Sequence, residues 1–441
     1  MEMIRTTIRI ALAGLLVLAA AGLAFAQEKT QVTFWHAMGG ARTAFIQRMV
    51  DDFNYTHPTI EVKAEYKGSY RDTLNAAILA AKQGNPAQIV QIFEVGSQLA
   101  LDSGIFMPFE DTITPEDYAM LDDFVPGVAN YYKFDGKFYS VPFNSSNAIL
   151  YYNKDVFTKA GLDPENPPKT FDEVTAACKK IVESGAAPYG ISFPLHCWLA
   201  EEWMANQGAL LANNENGRAG RATDILLDSE PMKKIMSWWK ELYDNKYYAY
   251  SGKPEDWDGA NNLFISGQAA MEVTSTSDVA IMQNAAAENG FTLGTGKLPS
   301  LTDDPEGAVV GGASLWMTKG NSPEVQDAAK TFLIWFTNTE NEVRWHKGTG
   351  YFPVRVSAVD VLKEQKWFER NPAFSAAFDQ LLDTKPTRAT QGALLPIFPQ
   401  LRTIVEEAAQ KIFDGTPVDE AMAEADKRAD DALTKFNRGV Q

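Results

Sequence analysis

Between Val32 and Phe93 five segments alternate between two periodicities, and that alternation restricts the fold more than any other feature of the chain. Val32-Thr33-Phe34-Trp35 is β-rich and runs on to Gly39-Gly40, a strand followed by a turn. Phe45, Ile46, Met49, Val50 and Phe53 then recur at the spacing of one helix face. Ile60, Val62, Ala64 and Tyr66 alternate as a strand does, and Asp72 to Lys82 predicts a second helix ended by Gly84-Asn85-Pro86. Ile89, Val90, Ile92 and Phe93 form an apolar run that suits a strand covered on both faces. Parallel strands must be joined by crossovers, so this rhythm predicts a parallel or mixed α/β sheet.

The rhythm resumes near Pro142. Ala148 to Tyr152 reads as a strand, Asn153-Lys154-Asp155 opens a short helix ending at Gly161, and Thr170 with Glu173 forms a capping box for a helix reaching about Ser184. Pro231 marks a helix that continues through Trp238-Trp239 to Tyr243, and residues 267–273 read as a strand. Ser322-Pro323-Glu324 starts another helix, and Thr416-Pro417 starts the last, with Ala421, Ala425, Ala432, Leu433 and Phe436 on its inner face. At 441 residues the chain exceeds what one core holds, about 250–300 residues. No repeat or flexible linker separates its parts, and a two-domain chain without a linker crosses between its domains more than once. The expected architecture is therefore a two-lobed α/β protein with several crossovers and a ligand cleft between the lobes. Residues 27–138 and 278–334 are assigned to lobe one, 139–277 and 335–441 to lobe two.

Residues 1–26 read as a cleavable secretory signal: Arg5 and Arg9 give a positive start, Ile10 to Leu23 an apolar run, and Ala24-Phe25-Ala26 a small-x-small cleavage site. That run is too short for a membrane span, which takes about 20 residues. Gln27 rather than Cys follows the site, which argues against a lipid anchor and makes the periplasm the expected destination. Lys and Arg number 40 against 57 Asp and Glu, a net charge of −17. A surface that acidic repels nucleic acid and anionic lipid, but not one small anion held in a locally positive cleft. The two cysteines, Cys178 and Cys197, could form one disulfide or remain two buried thiols.

Catalytic patterns are missing. There is no HExxH and no GxSxG, and the four histidines (His36, His57, His196, His346) stand apart, each better read as a structural residue than as a base. Gly294-Thr295-Gly296-Lys297 imitates a phosphate loop, but Phe291 and Leu298 occupy positions that need Gly and Ser or Thr. No ligand cluster suggests a metal or cofactor. Three other segments put Gly or hydroxyl residues near predicted strand ends, where backbone N–H groups can meet an anion: Phe143-Asn144-Ser145-Ser146, Thr274-Ser275-Thr276-Ser277 and Gly311-Gly312-Ala313-Ser314.

Phe34-Trp35-His36, the stretch from Pro142 to Thr170, Gly311 to Trp316 and Trp345 to Val354 together resemble the solute-binding proteins of bacterial ABC importers. Tyr66 to Tyr70, Phe93 to Ser97 and Gly311 to Trp316 narrow the likeness to the glycerol-phosphate branch. That resemblance implies a monomeric, non-enzymatic trap that closes on a glycerol-phosphate compound and docks on permease subunits in the inner membrane. It further implies that Tyr70 and Glu94 meet the glycerol hydroxyls, and that Ser146, Ser275, the N–H of Gly312, Tyr351 and Arg402 surround the phosphate. Read from its neighbours alone, Arg402 has the alternative of pairing with Glu406 one turn on, and Tyr70 that of plain core packing. The chain departs from the branch where two Trp flank the glycerol: Pro194 and Cys197 fall there, with Trp198 one step late. Either the wall is smaller and admits a glycerophosphodiester such as glycerophosphocholine, with Trp198 against the choline, or the loop folds differently and Trp198 fills the role. The rival functions are a neutral oligosaccharide-binding protein of the same class and a secreted glycerophosphodiester hydrolase.

Overall fold

A computed structural model describes residues 28–134 and 136–440; the expected signal peptide lies outside the described residues. The strands in chain order are β1 (Thr30–His36), β2 (Ile60–Tyr66), β3 (Ile89–Phe93), β4 (Phe106–Met107), the small hairpin β5 and β6 (Lys133–Phe134, Lys137–Phe138), β7 (Ser140–Ser146) and β8 (Ala148–Asn153). There follow β9 (Tyr189–Ser192), β10 (Tyr248–Ala249), β11 (Ala269–Ser275), β12 (Leu293–Lys297) and β13 (Gly311–Thr318). Two sheets result. The first runs β2–β1–β3–β13, with β4 and β7 also on β13; the second runs β10–β9–β11–β8–β12.

In the first sheet β2, β1 and β3 are parallel, joined by α1 (Ala41–Thr56) and α2 (Tyr70–Lys82), while β13 enters antiparallel. Every residue of β3 is buried, as its unbroken apolar run requires. The alternating β2 is the edge strand, so only Val62 is buried and Tyr66 stays exposed. Helix α2 starts at Tyr70, two residues before its predicted start, because Ser69 and Asp72 form a reciprocal capping box. Ile46, Met49, Val50 and Phe53 of α1 pack with Phe332 and Phe336 of the helix Pro323–Phe336 beneath this sheet. In the second lobe the predicted capping box of Thr170 and Glu173 opens α3 (Phe171–Glu183). Its core stacks Phe171 on Trp238 at 3.7 Å, with Trp203 edge-on to both.

The loop-like Gly294 to Lys297 is not a loop but the edge strand β12, paired antiparallel with β8. Cys178 and Cys197 are both free and buried. No helix among the described residues is long and apolar enough to cross a membrane.

The crossings differ from those assigned. Residues 140–146 pair with β13, so the chain leaves the first sheet at Asn147 and not at 138/139. Residues 293–297 belong to the second sheet, so the return falls between Lys297 and Gly311 and not at 277/278. The helix Thr339–Thr349 stays with lobe one, because Trp345 packs on Phe45 and Phe143. The chain is back against lobe two by the turn Pro372–Phe374 and the helix Ser375–Asp383, which lie against β12, the helix also against β8. Sequence periodicity marks strands but says nothing about which sheet each joins. One buried carboxylate braces two of these crossings: Glu202 accepts from Ala148 N (3.2 Å) and Val309 N (3.0 Å).

Candidate ligand-binding cleft

The strand ends that carry small residues converge between the lobes. Ser146 ends β7, Ser275 ends β11 and Gly312 is the second residue of β13, which runs antiparallel to β7. Tyr70 opens α2, Glu94 starts the turn after β3, Trp198 sits in the first turn of α4 (Cys197–Asn206), and Arg402 comes from α6 (Phe398–Phe413); α5 (Trp257–Ile265) packs against β11. These residues and Tyr351, eight predicted positions in all, line one cavity of about 270 Å³. Two roomier surface grooves, of about 630 and 750 Å³, contain none of the eight. Volume alone points to those grooves; the convergence of strand ends and polar groups points to this cavity.

Local chemistry fixes each group. Gln91 Oε1 accepts from Ala37 N, Gln91 Nε2 donates to Asn144 Oδ1, and Asn144 Nδ2 donates to Tyr70 Oη at 2.8 Å. Tyr70 Oη is thus an acceptor toward the protein, which frees its O–H to donate. Its ring lies on Phe93, nearly parallel at 5.6 Å, so the packing role and the cavity-facing role coexist. Ser275 Oγ accepts from Ser277 N at 3.1 Å and so keeps its own proton for the cavity. Gly312 has φ +108°, and a Cβ there would lie 1.9 Å from Asn144 O. Gly311 is small for another reason: a Cβ would lie 2.7 Å from Trp198 Cζ2, so the indole rests directly on the strand.

Arg402 is buried and does not pair with Glu406. Its Nε and Nη2 donate to both oxygens of Glu201 at 2.7 and 2.8 Å, and Nη2 also donates to Glu94 Oε1 at 2.6 Å. Glu406 instead accepts from Cys197 N at 3.1 Å. Burial works against the Arg402 charge, but Glu201 and Glu94 hold it protonated; burial likewise pushes the Glu94 carboxyl up, against the pull of Arg402. Since Glu94 comes from lobe one and Arg402 from lobe two, this pair links the lobes across the cleft floor.

A second guanidinium was not foreseen. Arg42 lines the cavity, donates to Ser277 O and Asp278 Oδ1 at 2.9 Å each, and sits 5.5 Å from the centre of the Tyr351 ring. Its signal was available: it follows Gly39-Gly40 at the C-terminal end of a parallel strand, the edge where open α/β sheets bind ligands. His196, Trp257 and Asp258 also line the cavity and were not singled out for it, because nothing in their spacing ties them to it. Pro194 and Cys197 do not line the cavity, and Trp198 does.

His196, Glu255 and Glu406 bring one ligand atom each within 4.8 Å of one another. The trio does not suit a metal. His196 Nδ1 already accepts from Trp198 N at 3.0 Å, capping α4, and Arg71 stands 3.4 Å from Glu255. Burial, then Arg402 and Arg71, hold His196 well below the usual histidine range, so its ring is neutral.

The family model for bacterial extracellular solute-binding proteins matches residues 48–376. The chain is 33% identical to the sn-glycerol-3-phosphate-binding periplasmic protein UgpB of Escherichia coli, over 97% of this chain and 98% of that one. It is 32% identical to the same protein of Shigella flexneri, with the same coverage. Among solved structures it is similar to UgpB from Mycobacterium tuberculosis in complex with glycerophosphocholine, with a TM-score of 0.76, 22% identity, and 93% and 99% of the two chains covered. It is also similar to the sugar-binding protein MalE from Xanthomonas citri, with a TM-score of 0.72, 21% identity, and 92% and 98% covered. The two-lobed fold is common to both.

Proposed function

The chain belongs to the bacterial extracellular solute-binding proteins, and from that premise we propose that it captures sn-glycerol 3-phosphate or glycerophosphodiesters and hands them to an ABC permease. The observation that carries this reading is the single cavity shared by all eight expected residues. Lobe one offers Tyr70, Glu94, Ser146, Tyr351 and the N–H of Gly312, and lobe two offers Trp198, Ser275 and Arg402. Tyr70 and Glu94 meet the glycerol hydroxyls, one donating and one accepting. Hydroxyl and backbone donors with Arg402 surround the phosphate, and Arg42 adds a second cation beside Ser275 and Tyr351. Ligand touched from both lobes favours the closed state by the difference in contact, which is the physical basis of capture. The protein acts as a monomer in the periplasm after cleavage behind Ala26, and it performs no chemistry on its cargo.

The test is a thermal-shift and calorimetry series on residues 27–441 with glycerol 3-phosphate, glycerophosphocholine, inorganic phosphate and maltose. Ligand at about 100 times its Kd adds roughly 2.7 kcal/mol. A shift with a glycerol phosphate and none with maltose is expected. A shift with maltose alone overturns the reading in favour of an oligosaccharide, and free choline released from glycerophosphocholine would mark a hydrolase.

A further inference from the structure

The groove of about 630 Å³ shares no lining residue with the cleft, and its charge is the reverse of the chain's. The chain carries 40 basic against 57 acidic residues, yet five cations, Lys133, Arg218, Arg221, Lys319 and Arg388, line this groove against one carboxylate, Asp102. A concavity lined by one sign of charge focuses its field and gathers counter-ions of the other sign.

Both lobes build it. Lys133 lies in β5 and Lys319 follows β13, where its N–H donates to Ile105 O at 2.8 Å; both side chains are exposed. Arg218 and Arg221 come from the loop after the short helix Asn213–Gly217, and Arg388 from the segment leading to α6. Gly217, at φ +75°, lets that loop press on the segment before α6, since a Cβ there would lie 2.4 Å from Leu394 O. Arg221 is tied to Asp102 across the lobes at 2.8 Å, and Arg388 to Glu215 at 2.6 Å.

Arg218 is different. Its half-buried guanidinium donates to three carbonyls, Gly392 O and Gln391 O at 3.0 Å and Tyr131 O at 3.2 Å, and to no carboxylate among the described residues. Three of its five N–H donors are so used, which leaves two for a ligand and the whole charge without a counter-ion. Burial, with Arg388 nearby, pulls its pKa below the ordinary value, as befits a cation short of negative partners. Neither Gly220 N nor Arg221 N donates to a protein acceptor among the described residues, so backbone donors stand beside the guanidinium. The volume exceeds what a single phosphate fills and lies in the range of sites for larger small molecules.

We propose that this groove is a second binding site, separate from the cleft, for a small oxyanion carrying three or more negative charges, of the condensed-phosphate or polycarboxylate type. Arg218 supplies the fixed charge at the loop, and Lys133 and Lys319 close on the anion from the other lobe. An anion so placed also bridges the lobes beside the Arg221–Asp102 pair.

Calorimetry on residues 27–441 with sodium triphosphate, citrate and acetate at low ionic strength tests this. One equivalent of a polyanion should bind, acetate should not, and about 0.2 M sodium chloride should weaken the binding about 10-fold or more. Triphosphate alone would narrow the ligand to condensed phosphates and citrate alone to polycarboxylates, each supporting the site. Lys133→Glu and Lys319→Glu should each weaken the polyanion about 10-fold, because attraction becomes repulsion, and leave glycerol 3-phosphate within about 2-fold. Asp102→Asn should tighten the polyanion about 3-fold, a gain that misfolding does not imitate. No binding of either polyanion, displacement of it by excess glycerol 3-phosphate, or unchanged affinity in both Lys variants overturns the proposal; the first and third leave the cleft reading intact, and the second moves the anion into the cleft.

Discussion

Replacing Arg402 by Ala should do two separable things, because the residue holds the protein together as well as facing the cavity. Its guanidinium makes three contacts of 2.6–2.8 Å to Glu94 and Glu201, all with side chains no more than 7% exposed. Removing it leaves two buried carboxylates with no cation between them. Loss of one partner from a buried pair costs about 3–5 kcal/mol. With an unfolding entropy of roughly 2 cal/mol/K per residue, that lowers Tm by about 3–6 °C if residues 27–441 melt as one unit. The sign of the pH dependence follows from the same geometry. Burial pushes the Glu94 carboxyl up and Arg402 pulls it down, so without Arg402 the folded protein holds a proton on Glu94 that the unfolded chain releases; the variant loses stability as pH rises, and its deficit is larger at pH 8 than at pH 5. Ligand binding alone therefore does not separate a phosphate contact from a structural one. The double variant Arg402→Ala/Glu201→Gln removes one carboxylate charge and should regain most of the lost Tm, yet still fail to bind glycerol phosphates in calorimetry. An unchanged, pH-independent Tm in Arg402→Ala would refute the electrostatic argument; full ligand affinity in the refolded double variant would refute the phosphate role.

Gly312→Ala should destabilise the protein by about 3 kcal/mol or more and abolish binding, since the new Cβ lies 1.9 Å from Asn144 O in a left-handed backbone; denaturant melts and calorimetry read both effects. Glu202→Gln puts an amide N–H₂ opposite one of two backbone N–H donors, at Ala148 or Val309, and should cost about 1–3 kcal/mol in a chemical melt. Burial pushes the Glu342 carboxyl up to about 8, so the folded protein keeps a proton that the unfolded chain loses above about 4.5. Stability therefore falls as pH rises toward 8, by up to about 1.4 kcal/mol per pH unit, and Glu342→Gln should shrink the fall in Tm between pH 6.5 and 8. It should not remove the fall, because the Glu406 carboxyl, also pushed up to about 8, acts in the same direction.

The strands and helices between Val32 and Phe93, the strand Ala148 to Tyr152 and the helices opened by Thr170, Pro231, Ser322 and Thr416 were legible in the sequence, because caps and periodicities act over a few residues; α4, α5, α6 and the helix Thr339–Thr349 were not read from it. Thr170 with Glu173, and the fully apolar Ile89 to Phe93, carry their structure locally. The three Gly- and Ser-rich strand ends were also legible as segments that could meet a ligand, and each contributes a residue to the one cavity, since backbone donors and small side chains advertise themselves one segment at a time. Assembly was not. Whether residues 140–146 pair with β13 or continue into lobe two depends on a partner strand more than 160 residues away, and no local pattern encodes that choice. The same holds at the cleft floor. From its own helix Arg402 suggests Glu406 as its partner, but two carboxylates from distant segments win the guanidinium because they reach it with a two-pronged geometry inside a dry interior. Trp257 and Asp258 reach the cavity only because α5 packs beside β11, so the chemistry of that wall is a product of tertiary packing. Short-range physics wrote the elements into the sequence, and long-range pairing decided which of their side chains meet.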